Sequence, residues 1–351
     1  MTDVAVLILH PEADARAGAI ERWVAAARAD LAARHRTGFL AAGATDVTVA
    51  AGLPDDVSFG ARVRAFVARR RPAGLVVLGS GAMPLATAAD RRAFVAAASS
   101  GDGVALANNR FSADAVAVGG AGRLTELPDL ATDNALPRWL EEVAGVAVTD
   151  LRRRWRLGFD VDGPLDLVLL AGRIPLPAPP DRVTERVAER LAAVRAVASH
   201  RTAELVVAGR VSAAGLAWLE SAIPARTRAL IEERGMRTAP AGQRPPRSIL
   251  GALLERDGPS GLGLILGELG EAALVDTRVL LAHGRGPNDA NWPPAEDRFA
   301  SDLLLHEQIG DPWLRELTAA AVDGPIPIVL GGHSLVGPGL RLALSTSGRW
   351  T

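Results

Sequence analysis

Apolar positions along the chain switch between two periods. Short apolar runs of strand length stand at 4–9, 46–50 and 75–78. Each precedes a longer stretch with apolar residues near helical spacing, at 13–42, 59–70 and 89–98. Gly43 closes the first helical stretch, Pro72 ends the second, and Thr87 with Asp90 has the spacing of a capping box that opens the third. Strands alternating with helices predict parallel βαβ units with right-handed crossovers, and so an α/β fold built on a mostly parallel, three-layer, Rossmann-like sheet. The pattern continues with extended segments at 103–107, 113–118 and 146–149 and a helix at 137–143. Residues 155–161 lead into the turn Asp162-Gly163-Pro164 and a short helix at 165–171.

Beyond that point, 182–197 reads as an amphipathic helix and 205–208, 213–220 and 227–231 as strand, helix and strand. A helix is predicted at 246–255, a glycine-rich apolar stretch lies at 261–267, 273–282 reads as extended, 295–308 as a helix and 326–330 as a late strand. A chain of 351 residues exceeds one ordinary core. The alternating prolines of IPLPAPPD at 174–181 favour an extended spacer, which divides the chain into a domain at 1–173, a linker at 174–181 and a second α/β or α+β domain at 182–351.

Composition narrows the chemistry. There is no cysteine, which removes disulfides, thiolate nucleophiles and Cys-ligated metals. All 39 basic residues are arginine, so Schiff-base chemistry, a phosphate-loop lysine and a lysine base are excluded. Tyrosine is absent too, which restricts proton donors to Asp, Glu and His. A net charge of -1 with interspersed signs gives no reason to expect nucleic acid or a membrane surface as partner. No apolar run reaches membrane-span length and the first residues lack the basic flank of a signal peptide, so a cytoplasmic protein is expected, with a homo-oligomer compatible with the sequence.

The stretch LVVLGSGAMPLATAADRRAF at 75–94 organises this reading as strand, glycine loop and capped helix, the arrangement at which α/β sheets collect ligands. GSGAMPLATAADRRAF resembles the segment that nucleotidyltransferases of the molybdenum-cofactor and phospholactate guanylyltransferase type place after their third strand. FDVDGPLDL at 159–167 resembles the Asp-x-Asp-x-Pro-x-Asp-Leu ending of the same domain, and ANNRFSADAVAV at 107–118 looks like its loop and strand before the product pocket. The resemblance spans about the first 170 residues. It implies a glycosyltransferase-A-like sheet binding a nucleotide or nucleotide-linked small molecule at Gly79, Ser80, Gly81, Asn108, Asn109, Arg110 and Asp114. With Mg2+, such a protein would transfer NMP from an NTP to a phosphorylated acceptor. The first loop, HPEADARAGA at 10–19, departs from the family in offering one glycine, Arg16 and no lysine, and no aspartate stands within 79–83. Without those amides and charges the phosphates lose positioning and neutralisation, so the alternative is a non-catalytic ligand-binding or assembly protein.

Asp160 and Asp162 are the candidate metal ligands. Two apart on an extended segment, both face one side and reach one hard cation. The competing reading has Asp162 capping the helix that starts at Pro164, with Asp166 in its first turn. A second polar cluster, His283, Asp289, Asn291, Glu296 and Asp297, surrounds a proline-rich loop without metal-ligand spacing. Ser334 in IPIVLGGHSLVG resembles a hydrolase nucleophile turn, but the following glycine is one place late and no acid or histidine lies downstream, so a glycine turn after a strand is the simpler reading. Gly261, Gly263 and Gly267 miss the dinucleotide fingerprint by one place, and Gly119 to Arg123 reads first as a turn.

Overall fold

A computed structural model describes residues 2–233 and 245–345. It is α/β, with two compact units. Residues 1–16 and 25–161 form the N-terminal unit, and residues 17–24 and 162–351 the C-terminal unit. The division therefore falls between Val161 and Asp162, ahead of the expected proline linker, which lies inside the C-terminal unit.

The N-terminal unit holds a mixed six-strand sheet. Its strands are β1 (Val4–Pro11), β2 (Asp46–Gly52), β3 (Gly74–Gly79), β4 (Val104–Ala107), β5 (Ala115–Gly119) and β6 (Ala147–Asp150), in the order β2-β1-β3-β5-β4-β6. All pairings are parallel except those of β5, which runs antiparallel to both β3 and β4. The reversal has a local cause. The loop between β4 and β5 is too short for the helical crossover a parallel return needs, so the chain turns back directly. The central strands are apolar on both faces because helices cover both. Leu75 and Val77 join Val63, Phe66 and Leu140 on one side, while Val76 and Leu78 join Phe39, Phe94 and Leu157 on the other.

The C-terminal unit holds a parallel four-strand sheet of β7 (Glu204–Gly209), β8 (Arg226–Ile231), β9 (Ala272–Asp276) and β10 (Ile328–Gly331), ordered β10-β9-β7-β8. The chain steps outward from β7 to β8, then crosses back over β7 to β9 and β10. Winding thus reverses between β7 and β9, and the carboxyl ends of these two strands flank a topological switch point.

Three expectations in this unit are corrected. The extended segment expected at 273–282 stops at Asp276, whose carboxylate accepts from the Arg278 amide and caps the helix Thr277–Arg285. The glycine-rich stretch 261–267 is a helix, Leu262–Leu269. A side chain at Gly263 would meet the Ala320 carbonyl at 2.6 Å, so glycine here serves helix packing. The helix expected over 295–308 ends at Asp302, because Leu304 turns left-handed at φ 61°. Among the described residues no helix is long and apolar enough to cross a membrane.

Candidate functional site

The glycine loop after β3 is held from within its own unit. Met83, fully buried, takes φ 48°, and its amide donates to Phe159 O. Ala82 and Asp160 form an antiparallel bridge, and a side chain at Gly81 would meet Asp160 Oδ1 and Val161 O at 2.8 Å. Ser80 is buried, with its Oγ 3.1 Å from His10 Nδ1. Asn108, also fully buried, spends its amide on the loop. Its Nδ2 donates to Asp114 Oδ2 and Leu157 O, and its Oδ1 accepts from the Asp114 and Ala115 amides. Asn109 accepts from the Phe111 amide, and Arg110 pairs with Glu141. The expected phosphate-binding groups are brought to one end of the central strands, but their hydrogen bonds hold the loops together.

Asp160 and Asp162 fall in different units. Asp160 Oδ1 accepts from the Val161 amide. Asp162 is not the cap. Asp166 reaches back from inside the helix Pro164–Leu170 and accepts from the Asp162 and Gly163 amides at 2.8 and 2.9 Å. Among the described residues no three His, Asp or Glu side chains form a group able to hold a metal.

The second expected cluster separates into local roles. His283 accepts from the Ser248 amide, Asp297 staples the Gly310 and Asp311 amides, and Asp289 and Asn291 lie on one short 3-10 turn. Glu296 lies in the first turn of the helix Ala295–Asp302.

Two features of the C-terminal unit stand out instead. At its switch point, Arg210 follows β7 and holds Asp276, at the end of β9, through bonds of 2.6 and 3.1 Å. Arg278 holds Asp302 through bonds of 2.6 and 2.7 Å and also donates to Thr277 Oγ1. Burial pushes the Asp276 carboxyl upward, yet Arg210, with smaller help from His333 and Arg278, keeps it below the usual carboxylate range. Asp166 is shifted the other way. Burial, with Asp162 and Asp302 adding to it, pushes its carboxyl up to about 7 against the two amide bonds.

The other feature is a cavity of about 730 Å³ beside the helix Pro164–Leu170, a size typical of small-molecule sites. The segment expected to be a linker forms one wall with Ile174 and Leu176, and the helix Glu185–Ala198 forms another with Ala188 and Leu191. Trp23 is fixed there by its indole N–H, which donates to Pro177 O at 3.0 Å. Arg173 and Arg195 supply the charge. Neither arginine belongs to a motif. Their only sequence signal is a cation beside a proline-rich segment and another in the last turn of a helix.

No protein-family model, curated protein or solved structure matches the chain.

Proposed function

We propose that the protein binds a small organic molecule without transferring a nucleotidyl group, and that the cavity of the C-terminal unit is its binding site. The observation that carries this is the contrast in how polar groups are used. The Asn108, Asp114 and Asp160 side chains, suited to phosphates and Mg2+, are engaged within the loops of the N-terminal unit, whereas the cavity offers ligand-sized volume with apolar walls and a few polar groups. Magnesium is commonly held by one or two carboxylates together with substrate phosphates, so it would arrive with a nucleotide.

Calorimetric titration of the full chain with decanoate and decanol tests the proposal. Binding of at least one, abolished by Ala188→Trp at an exposed position of the cavity wall, is the expected result. Failure of both to bind overturns it.

A second reading, nucleotide binding by the N-terminal unit, is favoured by Phe111. Its ring is 54% exposed, and the guanidinium carbons of Arg110 and Arg152 lie 5.8 and 5.1 Å from its centre. An aromatic face beside cations suits a base with phosphates. Thermal shifts with GTP, CTP, ATP and UTP, with and without Mg2+, decide it. A nucleotide at 100 times its Kd adds about 2.7 kcal/mol of stability, and Phe111→Ala should remove the shift.

A further inference from the structure

We propose that the ligand of this cavity is an organic anion with an apolar body, its head held by Arg173 and Arg195 and its body lying against Trp23, Leu167, Ile174 and Leu191. The inference rests on the reading of the cavity as a binding site and adds the chemical class of what enters it.

Both guanidiniums are aimed by backbone. Arg173 follows the turn at Gly172, whose φ of 72° is left-handed, and its Nη2 donates to Leu342 O at 3.4 Å. Arg195, in the last turn of Glu185–Ala198, donates from Nε to Ala343 O at 2.6 Å. The two acceptors are neighbouring carbonyls in the short helix Leu340–Leu344, near an end where carbonyls lack intrahelical donors. The bond from Arg195 fixes where its guanidinium points but brings no full negative charge to it.

Among the described residues no carboxylate pairs with Arg195, and its charge acts on Arg173. Burial lowers both, and the charge of Arg195 lowers Arg173 further. A half-buried cation with a second cation near it is costly, and an anion at Arg195 relieves its desolvation and offsets the repulsion between the two. Guanidinium forks also suit carboxylate and phosphate oxygens geometrically. The remaining walls give such an anion an apolar body to bury. Leu167 and Leu191 are nearly fully buried, and Trp23 lines the cavity with its N–H already satisfied.

The experiment compares decanoate, decyl phosphate, decanol and decyltrimethylammonium by calorimetric titration of the full chain. The expected order places the two anions at least about tenfold tighter than decanol, with the cation weakest. Arg195→Gln should erase the preference of anion over alcohol while decanol binding stays within about twofold, a split that a merely structural arginine does not produce. Arg195→Lys should restore part of the preference. Ala188→Trp should weaken all four. Equal binding of decanol and decanoate, or tighter binding of the cation, overturns the inference and leaves the cavity a binding site. Absence of binding by all four overturns both.

Discussion

Each unit ends its sheet in a loop region that must bury polar groups, and the two solve that problem with different chemistry. In the N-terminal unit much of the work falls to a neutral amide, beside a buried Asp90 held by Arg154 and Arg156. Asn108 has every donor and acceptor engaged between the end of β4 and the start of β5. In the C-terminal unit it falls to ions, Arg210 with Asp276 and Arg278 with Asp302, at the switch point of the parallel sheet. A satisfied amide is indifferent to pH and salt. A buried ion pair is costly to assemble, more costly to break on one side, and responsive to any proton that enters the cluster. Polarity in a loop is therefore a poor guide to a binding site by itself. What matters is whether the polar groups are already engaged with one another.

The sharpest break in the comparison comes from removing one ion. Arg278→Met leaves the Asp302 carboxylate, 3% exposed, without its bidentate partner. A loss of about 3–5 kcal/mol is expected in denaturant unfolding of the C-terminal unit. Arg278→Met combined with Asp302→Leu should recover most of it, because an apolar pair of similar volume avoids the desolvation cost. If the single variant were as stable as the double, the pair would not be a coupled ionic unit.

The matching change in the N-terminal unit is smaller. Asn108→Ala strands the Asp114 and Ala115 amides and the Leu157 carbonyl, which it ties together between the β4–β5 loop and the 3-10 turn Trp155–Gly158. A loss of roughly 2–3 kcal/mol follows from leaving buried groups unsatisfied, and amide exchange at Asp114 and Ala115 should accelerate with it. Unchanged exchange there would assign the loop's order to some other contact.

Most of the architecture is legible in the sequence because the strands are apolar on both faces and therefore appear as unbroken runs. β1, β3 and β7 stand out for this reason. The direction of β5 is not written in its own residues. It follows from the shortness of the loop ahead of it, a property of the connection. The helix Leu262–Leu269 is hidden by its glycines, which look like loop residues until Ala320 is placed against Gly263. Candidate chemistry was legible only as residue type. Ser80, Asn108 and Asp160 are visible as polar residues among apolar neighbours, but their mutual hydrogen bonds are tertiary. Arg173 and Arg195 carry no motif at all, since only the folding of the proline-rich segment beside the helix Glu185–Ala198 places both on one cavity wall. The same holds for Asp166, whose sequence position places it only in the first turn of a helix and whose burial makes it a titrating group near neutrality.

That titration gives the finest test, because Asp166 in the C-terminal unit and His35 in the N-terminal unit are shifted in opposite directions. Asp166 is raised to about 7, by burial first and by Asp162 and Asp302 after it, while the unfolded carboxyl titrates near 3.8. Between those values the folded chain holds a proton that the unfolded chain has released. The stability Asp166 contributes is complete below about 4 and is lost as pH rises toward 7. His35 is lowered to about 4, chiefly by burial and then by Arg91. Its Nε2–H donates to Ala82 O at 2.7 Å, and its Nδ1 is buried with no hydrogen-bond partner among the described residues. Here the unfolded chain takes the proton first, so stability is complete above about 6.5 and is lost as pH falls toward 4. Each slope is of order 1 kcal/mol per pH unit, and over pH 4–6.5 they oppose each other. Asp166→Asn should therefore leave a stability that rises with pH across that window, and His35→Gln one that falls. If the units melt in separate transitions, each should show its own slope in the unmodified protein. A flat profile in both variants would mean that neither group keeps its shifted protonation in the folded chain, and the contrast between a charge-responsive unit and an amide-stapled one would then rest on Arg278 and Asn108 alone.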